Sequence, residues 1–368
     1  MYDNHKRILT LLLLLAFIFT LFTFSISSED GIDVSAKSAA LYEPETKKFI
    51  YTKNSGMRLG MASTTKIMTA LLAIEMLNPD ENIEVDERAI GIEGSSVYLK
   101  SGEIMTAADL IYSVLLQSAN DAAAALAYRI AGSIEAFAAL MNKKAEELGL
   151  RDTNFTNPHG LDDKDHYTTA ADLSVIAAEA LSNESFKEIS STYKKEVTSN
   201  FTKRNLVNHN KMLKLYDGAI GVKTGFTKKS GRCLVSAAER DGLTLISVTI
   251  NAPDDWRDHT NMLDLGYSLL EARFLARPGD FTYGIPVLDG ASDTVKISNT
   301  DTLKMILNKT DPEIKSEVRL CRYFTAPITK GDILGTVIFT KDGEEIGRIN
   351  LTAENSVEKR TRKHKLFS

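Results

Sequence analysis

Apolar positions in this chain follow three rhythms, each confined to its own stretch. Ile8 to Phe24 is apolar apart from threonines, with Lys6 and Arg7 before it and Ser25-Ile26-Ser27-Ser28 after it. A basic lead, an apolar run and small residues beyond predict a secretory signal peptide over residues 1–28. An uncleaved anchor is the rival reading, because the run is at the lower edge of what spans a bilayer. Next, Ser38 to Tyr42 and Lys48 to Thr52 flank the turn Glu43-Pro44-Glu45-Thr46 and predict a hairpin. The rhythm then turns helical. Ser63 to Leu77 is densely apolar and stops before Asn78-Pro79, which predicts a largely buried helix. Further helices are expected from the Thr106-x-x-Asp109 cap to Leu116, over Asp121 to Ile130, from about Ile134 to Leu148, and from the Thr169-x-x-Asp172 cap to Leu181.

Beyond Asp217 the period shortens to that of strands. Ala219 to Thr224, Cys233 to Ala238 and Leu243 to Ile250 are strand-sized, the last two joined by Glu239-Arg240-Asp241-Gly242, and a helix over Thr260 to Phe274 closes the region. The first hairpin and these strands are natural partners in one antiparallel sheet with helices inserted between them, an α/β (α+β) unit over 29–277. From Pro278 onward the runs Phe281 to Leu288, Thr294 to Ile297, Thr302 to Ile306, Glu317 to Arg322 and Asp332 to Thr340 predict a small all-β domain over 278–358, with Lys341-Asp342-Gly343 as a hairpin turn. A basic tail, 359–368, follows; it reads as a solvated terminus, with an anionic membrane surface as the alternative partner.

Composition narrows the function classes. A chain of 368 residues with 43% hydrophobic and 25% charged positions suits about two folded domains. Its net charge of −5 gives no support for nucleic-acid binding, and no Cys/His cluster has zinc spacing, so neither a metal nor a cofactor is expected. The two cysteines, Cys233 and Cys321, are expected to be buried thiols rather than a bridge.

Three short motifs carry chemistry. In Ser63-Thr64-Thr65-Lys66, at a helix start, residues three apart share a face, so the hydroxyl and the amine come within hydrogen-bond reach. A serine needs a base to become a nucleophile, and a lysine whose pKa is lowered by burial or by a second cation supplies one. The same spacing recurs at Ser191 to Lys194 and Ser356 to Lys359, but only Ser63 opens an apolar helix able to hold its lysine. Ser118-Ala119-Asn120 breaks two apolar helices and can project a hydroxyl and an amide into a cleft. Lys223-Thr224-Gly225 ends a strand, where the glycine permits close approach of a ligand and the Phe226 N–H can join that of Ser63 in an oxyanion hole.

S-x-x-K, S-x-N and K-T-G in this order form the signature of penicillin-binding proteins and class A β-lactamases. Together with Asn157-Pro158-His159-Gly160-Leu161-Asp162, the run Tyr216 to Thr227, and Asn251-Ala252-Pro253-Asp254-Asp255-Trp256, they make the chain resemble the serine-type D-alanyl-D-alanine carboxypeptidases, which are low-molecular-mass penicillin-binding proteins. The likeness covers residues 35 to 275, and the β-rich remainder matches that family's second domain in position and texture. It implies the serine β-lactamase/penicillin-binding-protein-like transpeptidase fold, export to the cell envelope, and removal of the terminal D-alanine from peptidoglycan pentapeptide. Ser63 would attack and Lys66 would take its proton. Ser118 and Asn120 would relay protons and hold the substrate, while Lys223 and Thr224 would receive the carboxylate, beside Gly225 and Phe226. β-Lactam antibiotics, which mimic D-Ala-D-Ala, would acylate Ser63. Arg257 resembles a family arginine that pairs with the substrate carboxylate, and His159 is expected to stabilise its loop. Ala119 departs from the Asp of S-D-N, and Phe226 from a polar residue found in some relatives. Members of the family usually end in an amphipathic membrane helix, which the end Leu366-Phe367-Ser368 does not match. Two alternatives stand beside this reading. A class A-like β-lactamase would need a deacylating glutamate, for which Glu179 is the nearest match; a secreted peptidoglycan-binding protein would need no nucleophile at all.

Overall fold

The computed structural model describes residues 32–361, so the predicted signal peptide and most of the basic tail lie outside the described residues. Contacts divide the chain into two units, one reaching Arg240 and resuming over Thr244–Gly266, the other comprising Asp241–Leu243 and the chain from Tyr267 onward.

The first unit begins with the expected hairpin, β1 (Ser38–Glu43) and β2 (Lys48–Lys53). Every residue of β1 is buried, because β1 lies inside the sheet. A single 3₁₀ turn, Ala62–Thr65, feeds α1 (Lys66–Met76), which is buried from Lys66 through Ala73 and forms the axis of the unit. Next come β3 (Asn82–Glu84), β4 (Ile104–Thr106), α2 (Ala107–Leu116), α3 (Asn120–Ala131) and α4 (Ile134–Glu147). The Thr106 hydroxyl caps α2 by accepting from the Asp109 N–H at 3.1 Å. Helix α5 (Ala170–Leu181) is capped in the same way, Thr169 Oγ1 accepting from Asp172 N at 3.0 Å. Then α6 (Glu184–Ser191) leads to a small hairpin, β5 (Lys194–Thr198) and β6 (Lys203–Val207), which the strand reading missed because its residues are mostly exposed and charged.

A short α7 (Met212–Leu215) precedes β7 (Ala219–Thr227), β8 (Gly231–Arg240) and β9 (Leu243–Ile250). The sheet order is β2-β1-β9-β8-β7, which joins the first hairpin to the late strands as expected and leaves β7 at an edge. Asp241 and Gly242, both at positive φ (50° and 84°), turn β8 into β9 with the handedness a two-residue hairpin needs.

The predicted last helix, Thr260 to Phe274, is displaced: α8 spans Asp255–Leu269, and β10 (Leu270–Ala276) follows as a strand. Leu, Glu, Ala and Arg are good helix formers locally, but β10 pairs antiparallel with β13 (Leu303–Asn308), Ala272 opposite Ile306, and pairing outweighs propensity. The unit boundary therefore falls at Gly266 and Tyr267, ahead of the Arg277–Pro278 change of texture.

The second unit is all β beyond its helical entry. β11 (Thr282–Leu288), β12 (Thr294–Ser298), β14 (Lys315–Leu320), β15 (Phe324–Thr325), β16 (Ile333–Lys341) and β17 (Glu344–Ala353) form one sheet, in the order β14-β16-β17-β12-β11-β15. Alternate residues such as Val295, Ile297, Val337, Ile349 and Leu351 fill its core. The expected turn at Asp342-Gly343 joins β16 to β17, both residues at positive φ. Cys233 is a buried free thiol, its pKa raised by burial to about 12, whereas Cys321 is exposed, which corrects the expectation that both are buried.

Candidate active site

Ser63 occupies the 3₁₀ turn, not the N-cap of a regular helix, and the distinction sets its geometry. Ala62 adopts φ +48°, a left-handed conformation that an L-residue holds only when its surroundings enforce it. Those surroundings form a chain. His166 Nδ1 accepts from the Thr156 N–H at 3.0 Å, so Nε2 carries the proton and donates to Thr65 Oγ1 at 2.7 Å. Thr65 Oγ1 in turn donates to the Ala62 carbonyl at 2.7 Å. Gly160 packs against the same carbonyl: a Cβ there would lie 1.9 Å from Ala62 O, on a residue already at φ +87°. Gly160→Ala should therefore cost more than about 2 kcal/mol of stability, measurable by denaturant unfolding. Neither His166 nor Gly160 stood out as a site residue in the sequence.

Lys66 is wholly buried on the first turn of α1. Its Nζ lies 3.1 Å from Ser63 Oγ, 2.6 Å from Asn120 Oδ1 and 2.5 Å from the His159 carbonyl. The last two accept only, so a neutral amine gives them its two protons and turns its lone pair to Ser63. Burial, and then the charge of Lys223, push the Lys66 pKa well below that of an ordinary lysine, with Asp121 opposing. His159 thus contributes its carbonyl while its ring lies buried in the loop.

Asn120 starts α3 and is held from behind, Nδ2 donating to Glu93 O at 2.5 Å and its backbone N–H to Ser95 O at 2.7 Å. The loop it leans on is anchored twice. Asp121 accepts from Ser96 Oγ at 2.5 Å and Leu99 N at 3.0 Å. Buried Glu103 takes both guanidinium arms of Arg204, at 2.5 and 3.0 Å, and Arg204 Nε donates to Val97 O at 2.8 Å. Arg204→Ala strands a buried carboxylate, and we expect a loss of about 3 to 5 kcal/mol in urea unfolding. Ser118 links α2 to α3 at φ +59° and is nearly buried; among the described residues its hydroxyl has no hydrogen-bond partner.

Edge strand β7 closes the site. A Cβ on Gly225 would lie 3.0 Å from Ser63 N and 3.1 Å from Thr64 N, tighter than ordinary contact, so glycine lets the strand backbone come close to the Ser63 turn. Between them opens a cavity of about 320 Å³, whose walls include Ser63, Ser118, Thr224, Gly225, Phe226 and Arg232. Lys223 lies behind this wall, 1% exposed, with Nζ donating to Thr224 O at 2.9 Å and its pKa lowered by burial to about 7. Arg257 is not among the lining residues: half exposed at the start of α8, it pairs with Asp254 at 3.2 Å and Asp33 at 3.8 Å. Glu179, the β-lactamase candidate, sits on α5, 3.1 Å from Lys144, and does not line the cavity.

A family model described as D-alanyl-D-alanine carboxypeptidase matches residues 24–254, and one described as the C-terminal domain of penicillin-binding protein 5 matches residues 273–359. The chain belongs to the D-alanyl-D-alanine carboxypeptidase family. The carboxypeptidase is 34% identical to D-alanyl-D-alanine carboxypeptidase DacF of Bacillus subtilis, over 96% of this chain and 95% of that one. It is 30% identical to DacC of Escherichia coli, over 93% and 90% respectively. Among solved structures, the carboxypeptidase DacD of Francisella tularensis superposes with a TM-score of 0.65 at 26% identity, over 93% of this chain and 98% of that one. Penicillin-binding protein 5 of Haemophilus influenzae does so with a TM-score of 0.65 at 28% identity, over 89% and 99%. The carboxypeptidase is thus a serine peptidase with the penicillin-binding-protein fold, and neither a β-lactamase nor a non-catalytic binding role finds support.

Three buried imidazoles give the catalytic unit a pH signature. Burial lowers His159 to about 3, His166 to about 4 and His259 to about 3. All three folded values lie below the ordinary 6.5, so the unfolded chain takes up these protons first. The stability they contribute is present above pH 6.5 and lost as pH falls through the folded values, each pKa unit being worth about 1.4 kcal/mol. Between pH 6.5 and 5, above the carboxylate range, the melting temperature should drop steeply; a flat melting temperature there overturns the assignment.

Proposed function

We propose that this carboxypeptidase removes the terminal D-alanine of peptidoglycan pentapeptide through an acyl-enzyme on Ser63. Lys66, neutral, takes the Ser63 proton as Oγ bonds to the penultimate D-Ala carbonyl carbon. The tetrahedral oxyanion rests on the N–H groups of Ser63 and Phe226. As the C–N bond breaks, the proton passes to the leaving amine, through Lys66 or Ser118, and D-alanine departs. Water then attacks the ester and regenerates Ser63. Asn120 holds the base and the substrate amide, and Lys223 acts through its field on Lys66. A β-lactam ring opens by the same attack, which makes penicillin a covalent ligand. The observation that carries the reading is the buried Lys66 amine, 3.1 Å from Ser63 Oγ with its other two contacts to pure acceptors.

The apolar run Ile8–Phe24 and a substrate outside the cytoplasm support export to the cell envelope. No single helix among the described residues is long and apolar enough to cross a membrane.

The test follows the intact mass of residues 29–368 with penicillin G over hours, alongside release of D-alanine from a peptide ending in D-Ala-D-Ala. A persistent single adduct that maps to Ser63, together with D-alanine release, is expected. Rapid drug turnover without D-alanine release, or no adduct, overturns the proposal.

A further inference from the structure

The sequence points to Arg257 for the carboxylate of the substrate, but the guanidinium in the cavity belongs to Arg232, which enters from β8. In the β7–β8 ladder Arg232 stands directly opposite Phe226, so their side chains share a sheet face, and Thr224, two residues back on β7, shares it too. Arg232 therefore lines the cavity together with Thr224, one strand in from the edge that meets Ser63.

Its plane is fixed on two sides. Nη2 donates to Asp255 Oδ1 at 2.6 Å, and that oxygen also accepts the Trp256 N–H at 3.0 Å. The guanidinium carbon lies 5.7 Å from the centroid of the Trp256 ring. Asp255 itself is buried, and it uses one contact of a group that carries five donors. Arg232 Nε is buried with no hydrogen-bond partner, an unmet donor beside the cavity. Lys223 cannot fill the same place, because its amine is buried and turned to the Thr224 carbonyl. An always-charged fork also suits a planar carboxylate better than a point charge does.

We propose that Arg232, oriented by Asp255 and Trp256, binds the free carboxylate of the departing D-alanine and so restricts the enzyme to the chain end. This inference rests on the reading of Ser63 as the nucleophile. An internal D-Ala bond offers an amide where the fork demands an anion, so Arg232 selects terminal over internal cleavage.

The experiment compares an N-acetylated peptide ending in D-Ala-D-Ala with the same peptide as its C-terminal amide, in the wild type, Arg232→Gln and Arg232→Lys. The wild type should prefer the acid by roughly 100-fold in kcat/KM, Arg232→Gln should bring the acid-to-amide ratio close to one, and Arg232→Lys should restore part of it. Arg257→Gln, on the surface, should leave the ratio at its wild-type value. A ratio that stays high in Arg232→Gln, a wild type indifferent to the carboxylate, or a ratio that collapses only in Arg257→Gln overturns the proposal. A wild type that cleaves neither peptide and takes no penicillin adduct refutes the Ser63 reading instead. Thermal melts of the variants separate unfolding from lost recognition, since unfolding lowers both rates and leaves their ratio intact.

Discussion

Ser63→Ala is expected to abolish the penicillin adduct and to lower D-alanine release by at least about 10⁴-fold, with the fold intact. Removing Oγ takes one contact from Lys66 and leaves two, Asn120 Oδ1 and the His159 carbonyl, so the buried amine stays satisfied. The Ala62–Thr65 turn is held by Thr64 Oγ1 to Met61 O at 2.6 Å and Thr65 Oγ1 to Ala62 O at 2.7 Å, neither of which involves the serine. The melting temperature should therefore move by no more than a few degrees, the scale of a change below about 1 kcal/mol. Intact mass after incubation with penicillin reads the first effect, and a thermal melt the second. An adduct that persists in Ser63→Ala would move the nucleophile elsewhere, with the Ser118 hydroxyl, on the wall of the same cavity, as the next candidate.

The parts of this site legible in the sequence are those set by local spacing. Ser63 and Lys66 are three apart, and one turn of helix brings them together whatever the rest of the chain does. The break at Ser118 to Asn120 lies between two apolar helical runs, and the Lys223-Thr224-Gly225 run reads as a strand end. What spacing does not reveal is what turns these local features into a site. The positive φ of Ala62 depends on Gly160 and His166, about a hundred residues away, and no periodicity marks either. The place of Arg232 depends on strand register, since a slip of one residue would send its side chain to the other face. Arg257 was the natural candidate by motif, yet α8 begins at Asp255, and the helix start turns Arg257 toward Asp254 and Asp33. The same limit explains β10, where a helix-forming stretch becomes a strand because β13 offers an edge to pair with.

Lys66→Met should lower the acylation rate by about 10³- to 10⁴-fold while leaving Ser63 in place. Methionine fills much of the buried volume without a charge, so the expected loss is of the base rather than of the core. In the proposed reaction the working form of Lys66 is the free amine, and burial together with Lys223 lowers its pKa well below the usual lysine range. The acylation rate of the wild type should therefore climb with pH and level off before about pH 10.4, the ordinary lysine value. Lys223→Met removes the amine that, charged below its own pKa of about 7, helps hold Lys66 down, so the rising limb should move to higher pH. Stopped-flow acylation by a chromogenic β-lactam across pH reads both effects. If Lys66→Met keeps more than a tenth of the wild-type rate, or if its rising limb is unchanged, another group takes the serine proton. A limb that moves to lower pH in Lys223→Met would mean that Lys223 stabilises the charged form of Lys66, against the sign its positive charge requires. In the proposed reaction the inner amine gives up its charge to act, and Lys223, next to Thr224 on β7, makes that loss easier.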